Sequence, residues 1–253
     1  MKLVVDPDWR AWLDCNLDQG EFMIRYGQYC PIAKSLELLA ERWTLLVVRE
    51  LLMGSRRFND LRRGVPLMAP SMLSQRLRSL VDGGIIVREH GPDSRSSGYR
   101  LTAAGEELRP LILQLGTWGQ RWSRSRMSTD DLDASFLMWD IRRNLRLDKV
   151  SRERVVIFFE FPDAKKGMKH WWLVAEEGEV DLCLEDPGHE VDITLSSNLR
   201  TMTQIWMGDM SLVQARGKGL LKVLGRPCLV RSLGSWLGPS PFAHVAPAAA
   251  NRS

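Results

Sequence analysis

The sequence predicts an α+β protein in which a mostly helical amino-terminal part precedes a mixed carboxy-terminal part. Three observations lead to this prediction. Up to about residue 122, apolar residues recur at three- and four-residue steps, as in amphipathic helices. Beyond residue 132, short β-branched and aromatic runs are typical of strands. Between the two lies a polar stretch, residues 123–131, with few side chains that could form a core, and we place the domain boundary there.

The composition is that of a globular protein. Of 253 residues, 44% are hydrophobic and 26% charged, a balance that excludes a fibre or a disordered chain. No apolar run approaches the roughly 18 residues of a membrane span, so we expect no membrane partner. Asp6 and Pro7 come too early for a signal peptide, which favours a cytoplasmic protein. Four cysteines and four histidines are scattered without metal-ligand spacing, so we expect no metal and no cofactor.

The first part has the element order of a winged helix-turn-helix domain. Pro31 suits the first position of a helix, because an amide hydrogen there would have no partner within the helix and proline lacks one. The predicted elements are a long helix from Pro31 to about Met53, helices at 58–63 and 71–81, strands at 85–89 and 99–101, and a helix opened by Thr102. Three helices, a hairpin and a further helix make a winged helix-turn-helix.

Basic residues are concentrated in the same part. Residues 54–126 contain 13 basic and 6 acidic residues, a net charge of +7. Residues 1–53 and 127–253 have net charges of −2 and −1. A basic block is expected of a segment that meets phosphate, although a solvated positive face has the same composition.

The predicted helix at 71–81 has the properties of a helix that enters the major groove of DNA. Leucines form its inner face, and polar or cationic side chains on its other faces can reach base edges. The arginines that precede this helix, including Arg62 and Arg63, are expected to contact phosphates. The hairpin tip is expected to reach an adjacent groove or the DNA backbone. The predicted DNA-binding residues are Arg56, Arg57, Ser71, Ser74, Gln75, Arg76, Arg78, Arg95 and Ser96. The alternative is a small helical domain with an exposed basic face.

Several motifs in this part resemble the HxlR-type winged-helix regulators. They are Cys30-Pro31, Arg42-Trp43, Arg57-Phe58-Asn59-Asp60-Leu61, the run Ser74–Leu80, Gly83-Gly84-Ile85-Ile86 and the run Tyr99–Gly105. The resemblance covers roughly residues 28–122. It implies a homodimeric bacterial transcription regulator that inserts the helix containing Ser74–Arg78 into double-stranded operator DNA. We assign residues 28–126 to this domain and residues 1–27 to a helical extension.

The helix after the hairpin carries an apolar seam. Its members are Leu108, Leu111, Leu115, Trp118 and Trp122, spaced by 3, 4, 3 and 4 residues. Such heptad-like spacing favours a dimer contact. Packing of the seam on its own domain is the alternative.

Cys30 is a candidate redox sensor. It precedes Pro31, and the oriented amides at a helix amino terminus favour a thiolate. In some members of the family that the chain resembles, a cysteine at this place senses oxidants or electrophiles. The alternative is a small buried residue that caps the helix.

The second part predicts four or five strands followed by helices, an α+β layer. Motifs such as Leu199-Arg200-Thr201-Met202 and Trp206-Met207-Gly208-Asp209 resemble those of a sterol carrier protein-like domain, and the resemblance covers residues 133–240. We predict that residues 241–253 form a flexible tail. The resemblance implies a tunnel for a lipid or another apolar ligand. The candidate lining residues are Phe159, Trp172, Met202, Ile205, Trp206, Leu212, Leu229 and Leu233. These positions would also form the core of any fold of this class.

The motifs together predict a homodimeric DNA-binding regulator whose operator binding responds to an apolar small molecule. The sequence has no G-x-S-x-G, H-E-x-x-H or P-loop motif, so we predict no catalytic residues and no enzyme activity. The alternative is a lipid-binding or carrier protein whose helical part serves assembly only.

Overall fold

The computed structural model describes residues 26–90, 97–123, 128–129, 131–146 and 154–248. Within them the chain forms two units, each with its own cluster of buried apolar side chains. The predicted extension 1–27 lies outside the described residues apart from Tyr26 and Gly27, and so do the predicted DNA-binding residues Arg95 and Ser96. None of the helices in the described part of the chain is long and apolar enough to cross a membrane.

The first unit has the predicted order of helices and hairpin. Its elements are α1 Pro31–Leu39, α2 Thr44–Leu52, α3 Phe58–Gly64, α4 Pro70–Asp82, β1 Ile86–Glu89, β2 Gly98–Leu101, α5 Ala103–Glu106 and α6 Arg109–Trp122. β1 and β2 pair antiparallel, with Ile86 opposite Leu101. The Thr102 side chain accepts a hydrogen bond from the Gly105 amide and so caps α5. The fold of this unit is a winged helix-turn-helix.

The predicted long helix from Pro31 to Met53 was wrong, because the structure has two helices there. α1 ends at Leu39, and α2 begins at Thr44. Between them Trp43 has a φ of 79°, in the left-handed region that a bulky side chain rarely adopts. The Trp43 side chain packs against the core of the unit. The apolar spacing continues across this break, so periodicity alone could not reveal it.

In its described residues, the second unit forms a five-stranded sheet with helices on one face. Its elements are α7 Ala134–Asn144, β3 Arg154–Glu160, β4 His170–Glu176, β5 Glu179–Cys183, β6 Ile193–Ser197, α8 Leu199–Met207, α9 Leu212–Gly217, β7 Leu221–Gly225 and α10 Pro227–Trp236. The strand order is β5-β4-β3-β6-β7. β3 and β6 run parallel, and the other neighbours are antiparallel. The strands agree with those predicted, whereas α7 was not predicted.

Alternate residues of the strands face the helices. Ile157 and Phe159 of β3 are buried in the core together with Leu173 of β4. Phe158 and Trp172 lie opposite each other on the other face of the sheet, with ring centroids 4.8 Å apart. The core of the second unit therefore lies between the sheet and the helices.

The carboxy-terminal residues differ from the predicted flexible tail. Residues 241–248 are ordered against the protein, and Val245 is buried. The Phe242 ring lies against Gly116 of α6, where any side chain would overlap the ring. The Ala248 amide donates to the Arg121 carbonyl at 2.8 Å. These contacts join the end of the second unit to the last helix of the first; residues 249–253 lie outside the described residues.

Candidate nucleic-acid interface

Helix α4 presents one polar face to the surface. Its leucines at 73, 77 and 80 are at most 1% exposed and fix the helix on the core of the first unit. Ser71, Gln75 and Arg78 are exposed, and their spacing of four and three residues puts them on one side of the helix. Ser74 lies beside them, partly exposed, and its hydroxyl donates to the Pro70 carbonyl at 3.0 Å. This polar face has the size and chemistry that the major groove accepts.

Arg76 does not belong to that face. Its side chain is only 14% exposed and forms an ion pair with Glu41, which lies between α1 and α2. Burial lowers the pKa of the Arg76 guanidinium, and its Nε atom has no hydrogen-bond partner within the described residues. The prediction that Arg76 reads a base edge is therefore corrected, since this arginine ties α4 to the preceding helices. The sequence held a signal for this, because Arg76 follows Leu73 by three residues and precedes Leu80 by four, which puts it on the leucine side.

Two arginines that precede α3 are exposed next to the hairpin. Arg57 is exposed at the N-cap position of α3. Arg56 precedes Arg57. The Arg56 carbonyl accepts a hydrogen bond from the Tyr99 amide of β2 at 2.9 Å, and this bond joins the start of α3 to the hairpin. The Arg56 guanidinium lies 3.8 Å from the Glu89 carboxylate, and its side chain remains 61% exposed. Arg88 of β1 is also exposed, although the sequence analysis did not name it. Arg56 and Arg57 form a basic surface at the start of α3, next to the hairpin.

Arg62 and Arg63 face the second unit. They line a groove of about 630 Å³ between α3 and the second unit, together with residues such as Met168 and Leu184. The Arg63 guanidinium lies 5.5 Å from the centroid of the Trp139 ring of α7. The position of Arg63 on that ring does not fit the expected phosphate contact.

A buried charge cluster connects the two units. Glu50 of α2 is 0% exposed, and its carboxylate accepts hydrogen bonds from Arg143 at 2.6 Å and from the Trp139 indole at 3.1 Å, both on α7. Arg49 donates to the same carboxylate at 2.8 Å and to the Gly64 carbonyl at 2.9 Å. Buried charges are stable only with such partners. This cluster fixes α7 on the helix-turn-helix, and the sequence analysis missed it because its members are 93 residues apart.

The pKa values of the cluster follow from burial and pairing. Burial raises the pKa of Glu50, but the Arg143 hydrogen bond and the Arg49 and Arg143 charges outweigh burial and hold it below its ordinary 4.5. At Asp140 burial prevails over Arg143 and raises the pKa of the carboxyl. Glu50 is therefore the ionised centre of the cluster.

The predicted seam of α6 is mostly uncovered in the single chain. Leu111 and Leu115 are 44% and 45% exposed, and Trp118 and Trp122 are 57% and 56% exposed. These four residues form what we term the α6 stripe, along one side of the helix. Leu108 differs, because it packs against the core of the first unit. Four large apolar side chains on one exposed helix face are typical of an interaction surface.

A cavity of about 540 Å³ lies in the second unit, among α8, α9, α10 and the carboxy-terminal residues. Four predicted lining residues line it, and these are Met202, Ile205, Trp206 and Leu212. The other four do not. Phe159, Leu229 and Leu233 are buried in the core, and Trp172 lies on the other face of the sheet.

Cys30 lies at the N-cap position of α1, as the sequence predicted. Its side chain makes no capping hydrogen bond and is partly exposed. Its carbonyl accepts a hydrogen bond from the Lys34 amide at 3.0 Å. Cys183 and Cys228 are likewise free thiols, and Cys15 lies outside the described residues. Within the described part of the chain, no group of three or more His, Cys, Asp or Glu side chains is placed to hold a metal ion.

Comparison with known proteins places the first unit in a family. The profile of the HxlR-like helix-turn-helix family matches residues 38–127. The uncharacterized HTH-type transcriptional regulator YvaP of Bacillus subtilis is 31% identical over 113 residues, which are 44% of this chain and 96% of that protein. The uncharacterized HTH-type transcriptional regulator Rv3095 of Mycobacterium tuberculosis is 42% identical over 92 residues, which are 36% of this chain and 58% of that protein, so the chain spans little more than half of it.

Among solved structures, the reduced form of the transcriptional regulator YodB from B. subtilis is 28% identical. It aligns with 37% of this chain and 93% of its own, with a TM-score of 0.33. The match of the family profile and the near-complete coverage of YvaP establish the assignment. The chain belongs to the HxlR-like helix-turn-helix family.

Proposed function

We propose that the protein is a transcription regulator that binds double-stranded DNA through α4. The observation that carries this proposal is the outward face of Ser71, Gln75 and Arg78, held on three buried leucines beside the basic surface of Arg56 and Arg57. The groove-facing side chains supply base contacts, and the arginines supply phosphate contacts that fix the register. Arg95 and Ser96, which the sequence predicts at the tip of the hairpin, belong to the proposed interface as well. Membership of a family of regulators supports the proposal.

The proposal is tested by selecting binding sites from random duplexes and measuring affinity for the selected site. Arg78→Ala or Gln75→Ala should weaken binding by about 1–3 kcal/mol if the side chain contacts a base edge. The matched control is Arg231→Ala, because Arg231 is an exposed arginine of α10 in the second unit and should not meet DNA. Equal affinities of Arg78→Ala and Arg231→Ala would refute the role of α4.

A second copy of the chain is the proposed partner of the α6 stripe. Four exposed apolar side chains at heptad-like spacing are self-complementary in a twofold arrangement. A dimer would place two α4 helices on half-sites about one duplex turn, roughly 34–36 Å, apart. The selected sites should therefore be palindromic with that spacing.

The cavity of the second unit is the proposed site of a small-molecule effector. Its volume of about 540 Å³ is in the range of ligand sites, and apolar side chains such as Ile141, Met202 and Ile205 line it. The order of strands and helices supports a sterol carrier protein-like domain with this role. Dye displacement from the cavity by apolar molecules tests it, and no displacement by any of them would refute it. The alternative of a carrier with a merely structural helical part receives no support from the family.

Control of DNA binding by the Cys30 thiol is proposed as a further property. The partly exposed position of Cys30 at the start of α1 supports it. A reagent that modifies the thiol would act on the helix that precedes the Glu41–Arg76 ion pair, and that ion pair holds α4 in place.

A further inference from the structure

The carboxy-terminal segment, defined here as residues 239–248, belongs to two sites at once. Pro239, Ala243 and His244 form one wall of the cavity. The Ser240 amide of the same segment donates to the Trp206 carbonyl at 2.7 Å, which fixes the segment on the end of α8. Gly208 follows α8, and a side chain there would clash with Ala243. The segment is thus packed on α8 with almost no space between them.

The other side of the segment is packed on α6. Phe242 lies against Gly116, and the Ala248 amide donates to the Arg121 carbonyl. Gln120 of α6 is only 4% exposed, and its side-chain amide donates to the Met207 carbonyl of α8 at 3.3 Å. The segment and the end of α8 therefore contact the side of α6 that is turned away from the α6 stripe.

We infer that occupancy of the cavity is transmitted through residues 239–248 to α6, and so to the dimer contact and the spacing of the two α4 helices. This inference rests on the proposed effector site. A ligand shifts a conformation only if it binds the two arrangements unequally. A ligand in the cavity presses on the wall that the segment forms, and the contact of the Phe242 ring with Gly116 passes a shift of the segment on to α6.

The cavity lining also defines the class of effector. Apolar side chains cover most of the wall, while Ser211 and Gln214 supply hydrogen-bonding groups. The titratable side chains that line the cavity are Asp209 and His244, and none of the described lining residues is a lysine or an arginine. An anionic head group would therefore share the cavity with the Asp209 carboxylate, and repulsion between like charges disfavours it. The structure therefore favours an uncharged apolar molecule with a hydroxyl or similar group, and 1-decanol and decanoate are a matched pair of probes.

The experiment measures amide hydrogen exchange of α6 in the full chain, which reports on α6 whether or not the protein dimerises. Gly234 lines the cavity, and the nearest atom of another residue would be 3.8 Å from an added Cβ, so the ring of Gly234→Phe has room to enter the cavity in place of a ligand. Gly234→Phe and saturating 1-decanol should each change α6 exchange rates about fivefold or more. Decanoate should bind at least about tenfold more weakly than decanol, as displacement of the neutral dye N-phenyl-1-naphthylamine would measure.

Variants of α6 separate transmission from binding. Gln120→Leu and Phe242→Ala should each retain the wild-type affinity for decanol within about twofold. Both should reduce the change in α6 exchange rates that decanol causes. Gln114→Leu is the matched control, because Gln114 is an exposed glutamine of the same helix, and its response should equal that of the wild type.

The inference would be overturned if Gly234→Phe left the exchange rates of α6 unchanged. It would also be overturned if decanol changed those rates as much in both Gln120→Leu and Phe242→Ala as in the wild type. Absence of decanol binding would overturn the effector site, whereas a response to Gly234→Phe would still support transmission. The two failures are therefore distinguishable.

Discussion

Replacing Gly64 by alanine tests the buried cluster that joins the two units. Gly64 is the last residue of α3, and a Cβ there would overlap the Glu50 carboxylate. That carboxylate cannot move freely, because Arg49, Trp139 and Arg143 all donate to it. The added methyl must push Oε2 away from the hydrogen bonds of Trp139 and Arg143.

The magnitude follows from those two hydrogen bonds. A hydrogen bond to a charged group contributes about 1.5–3 kcal/mol, so losing both costs about 3–6 kcal/mol. Alanine is favoured over glycine in a helix by about 1 kcal/mol. We therefore expect Gly64→Ala to lower the free energy of unfolding by about 2–5 kcal/mol, which corresponds to a fall in Tm on the order of 10 °C.

Urea unfolding followed by circular dichroism and by tryptophan fluorescence measures this change. The matched control is Gly217→Ala, at the last residue of α9, where an added Cβ meets nothing within 4 Å. Gly217→Ala should be neutral or stabilise by up to about 1 kcal/mol. A Gly64→Ala protein as stable as Gly217→Ala would show that the Glu50 cluster does not hold the units together.

Four further predictions concern the dimer, the cluster, the thiol and α4. Trp118→Ser should raise the dissociation constant of the dimer about tenfold or more, as sedimentation would measure. Val213→Ser, at an exposed apolar residue of α9, should leave that constant unchanged. Because the folded pKa of Glu50 is lowered, its stabilisation is complete above pH 4.5 and is lost as the pH falls below it. Unfolding free energy measured from pH 5 to 3 should therefore fall less steeply in Glu50→Gln. Diamide should change DNA affinity in the wild type and not in Cys30→Ser; equal changes would exclude thiol control. Arg76→Ala should lower the unfolding free energy by about 1–3 kcal/mol, since it leaves Glu41 unpaired, and an unchanged value would contradict the anchoring role.

Local patterns predicted most of the helices and strands, because each depends on neighbouring residues. Leu73, Leu77 and Leu80 predicted α4 and its buried face, and the alternating residues of β5 and β6 predicted those strands. The break at Trp43 was missed because the apolar spacing is continuous there, while the backbone conformation depends on packing against distant residues.

The candidate sites could be predicted only in part. The exposed position of Gln75 followed from the helical period, and the same period would have placed Arg76 on the inner side. The Glu50–Arg143 pair and the Gln120–Met207 hydrogen bond join residues 93 and 87 positions apart, and no local pattern marks such pairs. The cavity lining was half predicted because apolar positions of α8 and α10 serve equally well as core or as wall, and only the packing of the carboxy-terminal segment decides between them.

The salt dependence of duplex binding tests the central claim most directly. If α4 and the neighbouring arginines meet DNA, the logarithm of the affinity of the wild type should fall linearly with the logarithm of salt concentration, by about 0.9 for each phosphate neutralised. If Arg57 contacts a phosphate, Arg57→Ala should reduce the slope by about 1, and Arg231→Ala should retain it. Duplex affinity that is absent at low salt, or that does not change with salt, would contradict DNA binding through this surface.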